Sequence, residues 1–442
     1  MLKGEQLAPL FFVYNLCSFI LAHLENPKPK QMKKLSFILA MFCAATTFAT
    51  DRFVDATYGS GNGTTMFSSI SSAITAATNG DRILVATGLY SEGALTINKS
   101  LTIAPQTAGA YIRYAGNITV NGSAGMKLYI VGMNMGIYSY TLSTNTATQT
   151  NRALVSFVDC KMGDLTVSAD AYELLAIRTS VANSTTMRYG SFIASKTNTL
   201  SITDEANSLN TTEKIVLTAD SIMSSFDMRA DNYAVSMSNC LMNNLTWYKW
   251  NSSTSVSNEF YNNDVINNAS WMLASAGVPA YNFKFSGNNF LGTINFNSGG
   301  SYSGYPLYTY GYYWDTSYAT GLSYSTTTSL FPNPSTAGFF EWTYNGIDIP
   351  CTAPTASNPL VLTKVIGTTG TTVNAGNPNH EFYDIDLTVG DRGRFGGPNT
   401  WNNYFPASNP NGSRAFIYNL SIPADLFPGQ NVDIKAKAYH RN

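Results

Sequence analysis

The densest concentration of side chains able to hold a ligand is the run SYSGYPLYTYGYYWDTSY, which carries Tyr302, Tyr305, Tyr308, Tyr310, Tyr312, Tyr313, Trp314 and Tyr318. Each ring joins an apolar face to a polar tip, a combination that stacks on sugar rings and serves recognition surfaces in general. Tyr305, Tyr308, Tyr310, Tyr312, Tyr313 and Trp314 are therefore the candidate carbohydrate-binding residues. The alternative is that the block packs its rings onto the flank of the fold. A second grouping, DIDLTVGDRG, brings Asp384, Asp386 and Asp391 together, and three carboxylates could offer the oxygen ligands that calcium takes. Their spacing lacks the EF-hand pattern and Asp beside Gly serves turns, so the reading is structural and no metal or cofactor is expected. Elsewhere the acids stand singly, as Asp170, Asp204-Glu205 and Asp231, among Ser, Thr and Asn. No catalytic set is discernible. With three histidines and no CxxC pair, the chain gives no support to a structural zinc site.

The elements that must position these residues are written in a repeat. DCKMGDLTV from Asp159 and NCLMNNLTW from Asn239 share a rhythm with TSVANSTTM from Thr179, DSIMSSFDM from Asp220, NDVINNASW from Asn263 and NNFLGTINF from Asn288. Position one is Asp, Thr or Asn. Position four is Met162, Ala182, Met223, Met242, Ile266 or Leu291, and position nine is Val167, Met187, Met228, Trp247, Trp271 or Phe296. Positions five and six hold turn formers such as Asn243-Asn244. The starts are 20, 41, 19, 24 and 25 residues apart, the 41 being two turns with a degenerate copy near residue 200. Short apolar alternations at this period, with Asn, Gly and Ser corners and no helix between them, predict a solenoid of strands with about ten to twelve coils. Cys160 and Cys240 fall at one template position four rungs apart, about 19 Å at about 4.8 Å per rung. A disulfide needs Cα atoms within about 7 Å, so both should be free and buried.

Composition agrees with a β-rich chain bearing an uncharged polar surface: 12% of the 442 residues are charged, 13% are aromatic, and the net charge is −1. That balance provides no electrostatic case for nucleic acid or an anionic membrane. At the N-terminus, Met32-Lys33-Lys34, then LSFILAMFCAA, then Thr47-Phe48-Ala49 has the three regions of a secretory signal peptide, with cleavage expected after Ala49. Residues 1–31 read as an upstream extension from a mis-assigned start, residues 32–49 as the signal, and the mature chain contains no apolar run long enough to span a bilayer. Export permits disulfides, but Cys160, Cys240 and Cys351 are too few for a disulfide scaffold.

The ends of a solenoid need covering. Phe67, Ile70, Ile74 and Ala77 follow helical spacing, with Thr64 or Thr65 as N-cap and Gly80 as the stop, so a short capping helix is expected over the first coil. Ile83 and Val85, Leu95 and Ile97, Leu101 and Ile103 then switch to period two. The phrases AITAATNGDRILVATGLYSE and LTINKSLTI resemble the opening of right-handed parallel β-helix proteins of the pectin-lyase-like superfamily. NAGNPNHEFYDIDLTVGDRGRFGGP resembles the closing segment of secreted bacterial proteins with parallel β-helix repeats. The resemblance spans Phe53 to Pro398 and implies an all-β, right-handed parallel β-helix over residues 50–398. Residues 399–442 follow as a small β appendage of two strands around a Pro-Gly turn.

Gly88-Leu89-Tyr90-Ser91-Glu92 is similar to an early motif of pectin methylesterases, but nothing resembles the aspartate motif or the Arg-containing loop those enzymes also need, so Glu92 reads as a first-coil structural residue. Related lyases use calcium-holding acids with an Arg or Lys base, and hydrolases a cleft of aspartates. The expectation is a secreted or cell-surface binding or adhesion module that meets a polysaccharide or another surface. The rivals are a polysaccharide lyase or glycoside hydrolase, and a purely structural surface protein.

Overall fold

The computed structural model describes residues 49–59, 61–107, 109–148, 150–169, 171–203, 213–229, 233–247, 258–267, 269–274, 283–290, 294–298, 312–314, 322–324, 340–343, 346–347, 374, 376, 378–379, 382–384, 388–404, 416–421 and 435–439. The extension and signal expected over residues 1–49 lie outside these residues apart from Ala49.

The fold is all-β and parallel. A 13-stranded and a 17-stranded sheet share the chain alternately, so that Ala153–Val158 in the first sheet leads to Lys161–Met162 and Leu165–Val167 in the second, and then back to Tyr172–Ile177 in the first. Tyr172–Ile177 lies parallel to Ala153–Val158, with Val155 opposite Leu174 and Phe157 opposite Ala176. This winding is a parallel β-helix-like arrangement. Strand residues alternate inward and outward, and the inward ones form one apolar column system in which Trp247 meets Phe226 and Phe260 at ring-centroid distances of 6.3 and 4.9 Å.

One corner between the sheets is nearly constant. Asp159, Arg178, Ala194, Ala219, Asn239 and Asn262 all take the left-handed conformation, with φ between 49° and 57°, flanked by Gly132 and Gly287 at 60° and 68°. The left-handed region costs an ordinary L-residue about 1–2 kcal/mol. Continuous hydrogen bonding offsets it: the corner N–H of Arg178 donates to Ile193 O at 2.9 Å, that of Ala194 to Thr218 O at 2.8 Å, and that of Asn239 to Tyr261 O at 3.0 Å.

The residue after each corner points inward and forms a buried polar ladder of Cys160, Thr179, Ser195, Asp220, Cys240, Asn263 and Asn288. Within it Thr179 N donates to Ser195 Oγ, Ser195 N to Asp220 Oδ1, Cys240 N to Asn263 Oδ1 and Asn263 N to Asn288 Oδ1. Cys160 and Cys240 are thus four rungs apart, buried and unbridged, and burial raises the Cys160 thiol to about 12. Cys351 lies outside the described residues.

This ladder corrects the template read from the sequence. Cys160 and Cys240 align with Thr179, Asp220, Asn263 and Asn288, one position later than the alignment that begins at Asp159 and Asn239. Met162 therefore pairs with Val181, and Ile222 with Met242, leaving Met223 and Ile266 exposed at 59% and 41%. A one-residue slip moves side chains to the opposite face. At position nine the template holds, since Met228 pairs with Trp247 and Trp247 with Trp271. An extra residue between Ile222 and Ser225, as between Val181 and Ser184, absorbs the difference as a bulge. The degenerate copy is the strand Lys196–Ile202.

A helix, Ile70–Ala76, buries Ile70, Ala73 and Ile74. Its N-cap is Ser69, whose hydroxyl accepts from Ser72 N, in place of the expected Thr64 or Thr65. Those two sit in a turn whose N–H groups donate to Asn62 Oδ1, and Met66–Phe67 is drawn into pairing with Phe53 and Val54 before the helix starts. The helix ends at Ala76, and Gly80 takes its positive φ of 95° in the turn beyond.

Residues 388–404 lie along the constant corner. Gly393 N donates to Gly287 O at 2.7 Å, Asn239 Nδ2 donates to Arg394 O and Gly396 O, and Phe382 meets Tyr261 edge-on at 5.0 Å. Tyr404 and Trp401 cover Val158, Ile177, Ile193, Ala194 and Ala219. Beyond this, Phe416–Ser421 and Lys435–Tyr439 pair antiparallel.

Candidate binding surface

On the outward side of the second sheet each rung contributes one residue between two core side chains. Thr96 stands between Leu95 and Ile97, Thr119 between Ile118 and Val120, Thr141 between Tyr140 and Leu142, and Thr166 between Leu165 and Val167, every flanking residue being buried. The register carries this column without a break from Thr96 to Thr119, Thr141, Thr166, Thr186 and Ser201, then through Asp227 to Thr246. β-branched Thr suits a half-exposed pleated surface, and rungs are about 4.8 Å apart, so the six hydroxyls to Ser201 span about 24 Å.

The neighbouring columns are tied to themselves. Asn117 Oδ1 accepts Ser139 N at 3.0 Å, Asp164 bridges Ser139 and Ser184 by accepting both hydroxyls at 3.2 and 2.8 Å, and Ser143 Oγ donates to Asn121 Oδ1 at 2.8 Å. Burial opposes ionisation of Asp164, but hydrogen bonds from the Ser184 hydroxyl and N–H, Asn183 and Ser139 outweigh it and hold the carboxyl below its ordinary range. In the central column, by contrast, Thr96, Thr119, Thr141, Thr166, Thr186 and Ser201 make no side-chain hydrogen bond among the described residues. Those hydroxyls can both give and accept bonds outward. Asp227 ends the uncharged run, its carboxylate accepting from Arg229 Nη2 at 2.7 Å.

Of the six candidate aromatics, three are among the described residues. Tyr305, Tyr308 and Tyr310 lie outside the described residues, as do Tyr302 and Tyr318. Tyr312, Tyr313 and Trp314 form a strand that pairs antiparallel with Leu322–Tyr324, Tyr312 opposite Tyr324 and Trp314 opposite Leu322. Asp384 accepts Asp391 N and Gly397 N, and Asp391 accepts Asn374 N, so these two carboxylates organise turns; Asp386 lies outside the described residues. Glu92 accepts Ile70 N and Ser71 N, both at 2.7 Å, at the start of the helix. The Thr column was missed in the sequence reading, although it is the template's eighth position: Thr166, Thr186, Asp227, Thr246, Ser270 and Asn295.

One ionisable cluster stands apart. Arg152 pairs with Glu213 at 2.7 Å and lies 4.1 Å above the Tyr189 ring, while Tyr189 and Tyr233 meet at 5.3 Å. Burial, with help from the Glu213 and Glu173 charges, pushes the Tyr189 phenol up to about 12, so this group holds its proton and the arrangement is a clamp across rungs.

Fold and surface together define a parallel β-helix-like protein with a charge-poor hydroxyl face. Compared with protein-family models, with curated proteins and with solved structures, the chain finds no match in any of the three. No helix among the described residues is long and apolar enough to cross a membrane.

Proposed function

We propose that the chain is a right-handed parallel β-helix of the pectin-lyase-like kind, capped by its helix at the first coil, exported to the cell surface or medium, and used there to bind a glycan or another surface. The supporting observation is the outward column from Thr96 to Ser201, an uncharged hydroxyl array fixed to the core on both sides of every rung. The net charge of −1 adds to it, since a neutral partner needs no ionic complement. The Tyr-rich run adds rings of the kind that stack on sugars.

Binding to a panel of polysaccharides tests the reading, with and without the triple substitution Tyr308→Ala, Tyr312→Ala and Trp314→Ala. Saturable binding that the triple variant weakens supports both the module and its aromatic contact. Unchanged binding in the variant removes the aromatic site. Release of unsaturated or reducing sugar ends from any polymer would establish the rival lyase or hydrolase instead.

A further inference from the structure

We infer that the Thr96–Ser201 column is the seat of one uncharged, hydroxyl-bearing linear polymer that lies along the coil axis and bonds to successive rungs. The inference rests on the binding role proposed above and adds the class of ligand, its direction and its length. An array of hydroxyls at one fixed step is matched by a partner that itself repeats along a line, as a linear polymer does. Charge selects within that class. The column contains no ionic side chain over six rungs, and the single charges on its flanks, Asp164 and Arg188, are of opposite sign, so a charged chain of either sign finds no matching array. Asp227, with Arg229 on its carboxylate, marks where the uncharged track stops.

The hydroxyls are well disposed for this role. Each sits between strand residues locked in the core, so the backbone that carries it is already ordered before binding. Among the described residues they are unengaged while the columns beside them are engaged, so no internal bond of the described fold is given up when a polymer hydroxyl binds.

The test measures binding of the full chain to size-graded neutral β-linked and α-linked glucans and to an anionic polyuronate, at low and high salt. Three forms are compared: wild type, the triple variant Thr119→Val, Thr141→Val, Thr166→Val, and the matching triple Ser variant. Val keeps the β-branched shape and strand preference and removes only the hydroxyl; Ser restores the hydroxyl. Thermal unfolding of each form verifies folding. The expected result is salt-independent binding of a neutral glucan that strengthens with chain length and levels off once the chain spans about 24 Å. The Val triple should weaken it roughly tenfold or more, and the Ser triple should largely retain it. Equal binding by wild type and the Val triple overturns the inference and leaves the binding role standing. Absence of binding to every polymer overturns both, and salt-sensitive binding of the polyuronate alone overturns the ligand class.

Discussion

Asp220 occupies a ladder position that Asn263 and Asn288 occupy in later coils. The amides there accept a backbone N–H and also donate, Asn263 to Met237 O and Asn288 to Phe260 O. Asp220 accepts Ser195 N at 2.7 Å and Thr218 N at 3.0 Å, but an ionised carboxylate has no proton for the carbonyl that register places opposite, that of Phe192. Burial pushes the Asp220 carboxyl well up, against those two N–H groups. The titratable groups that feel its charge are Cys240 and Tyr404, both raised chiefly by burial. A carboxyl with a raised folded pKa favours folding below its unfolded value, about 3.9, and that contribution is lost as pH rises through the folded pKa. Asp220→Asn is therefore expected to be more stable than wild type at neutral pH, with the difference widening from about pH 4 upward. Denaturant midpoints of both forms from acid to mildly alkaline pH measure it, and a difference that does not change with pH would refute the assignment. The sequence showed that a polar residue recurs at the corner, but not that the side chain faces inward, because two copies were aligned one residue early. Asn239 enters the left-handed region more readily than Cys240, but Arg178, Ala194 and Ala219 at the same corner carry no such mark, so the position does not show as a recurring one.

At the scale of elements, the helix Ile70–Ala76 is held at both ends by side chains that follow it in the chain. Glu92 takes the N–H groups of Ile70 and Ser71, and Lys99 Nζ donates to the carbonyls of Ile74, Thr75 and Ala77. Both charges complement the helix dipole. Replacing Glu92 by Ala should cost about 1–2 kcal/mol, and Glu92→Gln less, in unfolding free energy. The segment over residues 388–404 makes a second docking. A Cβ at Gly393 would stand 2.1 Å from Asp264 Oδ1, and its φ of 79° disfavours any L side chain. Gly393→Ala should accordingly loosen this segment and uncover Val158, Ile177 and Ile193. Faster amide exchange in residues 388–404, with the strands of the first sheet unchanged, is the expected signature; unchanged exchange there would count against the docking. Helical spacing made the first of these elements visible in the sequence, though its cap was displaced because Met66–Phe67 pairs with the first strand. The second was not legible as a docked segment, since its backbone carbonyls, its glycines and the Trp401 and Tyr404 rings share no period with the strands they meet.

For the molecule as a whole, the repeat carried most of the architecture. Position nine recurs in register from Met187 to Phe296, and the spacing of Cys160 and Cys240 fixed four rungs between them. The binding face was less legible because its signal is a single hydroxyl between two apolar residues, a pattern any half-buried strand can show; only stacking makes six of them a line. Both the proposed role and the polymer inference depend on that stacking of equivalent outward residues, one per winding. The direct measurement is the distance between spin labels on cysteines introduced at Thr96 and Thr246, in a chain whose native cysteines have been replaced. Those positions are seven rungs apart in the register, which predicts a narrow distribution centred near about 34 Å. A distribution centred well below that value, or one with no defined maximum, would contradict the stacked column.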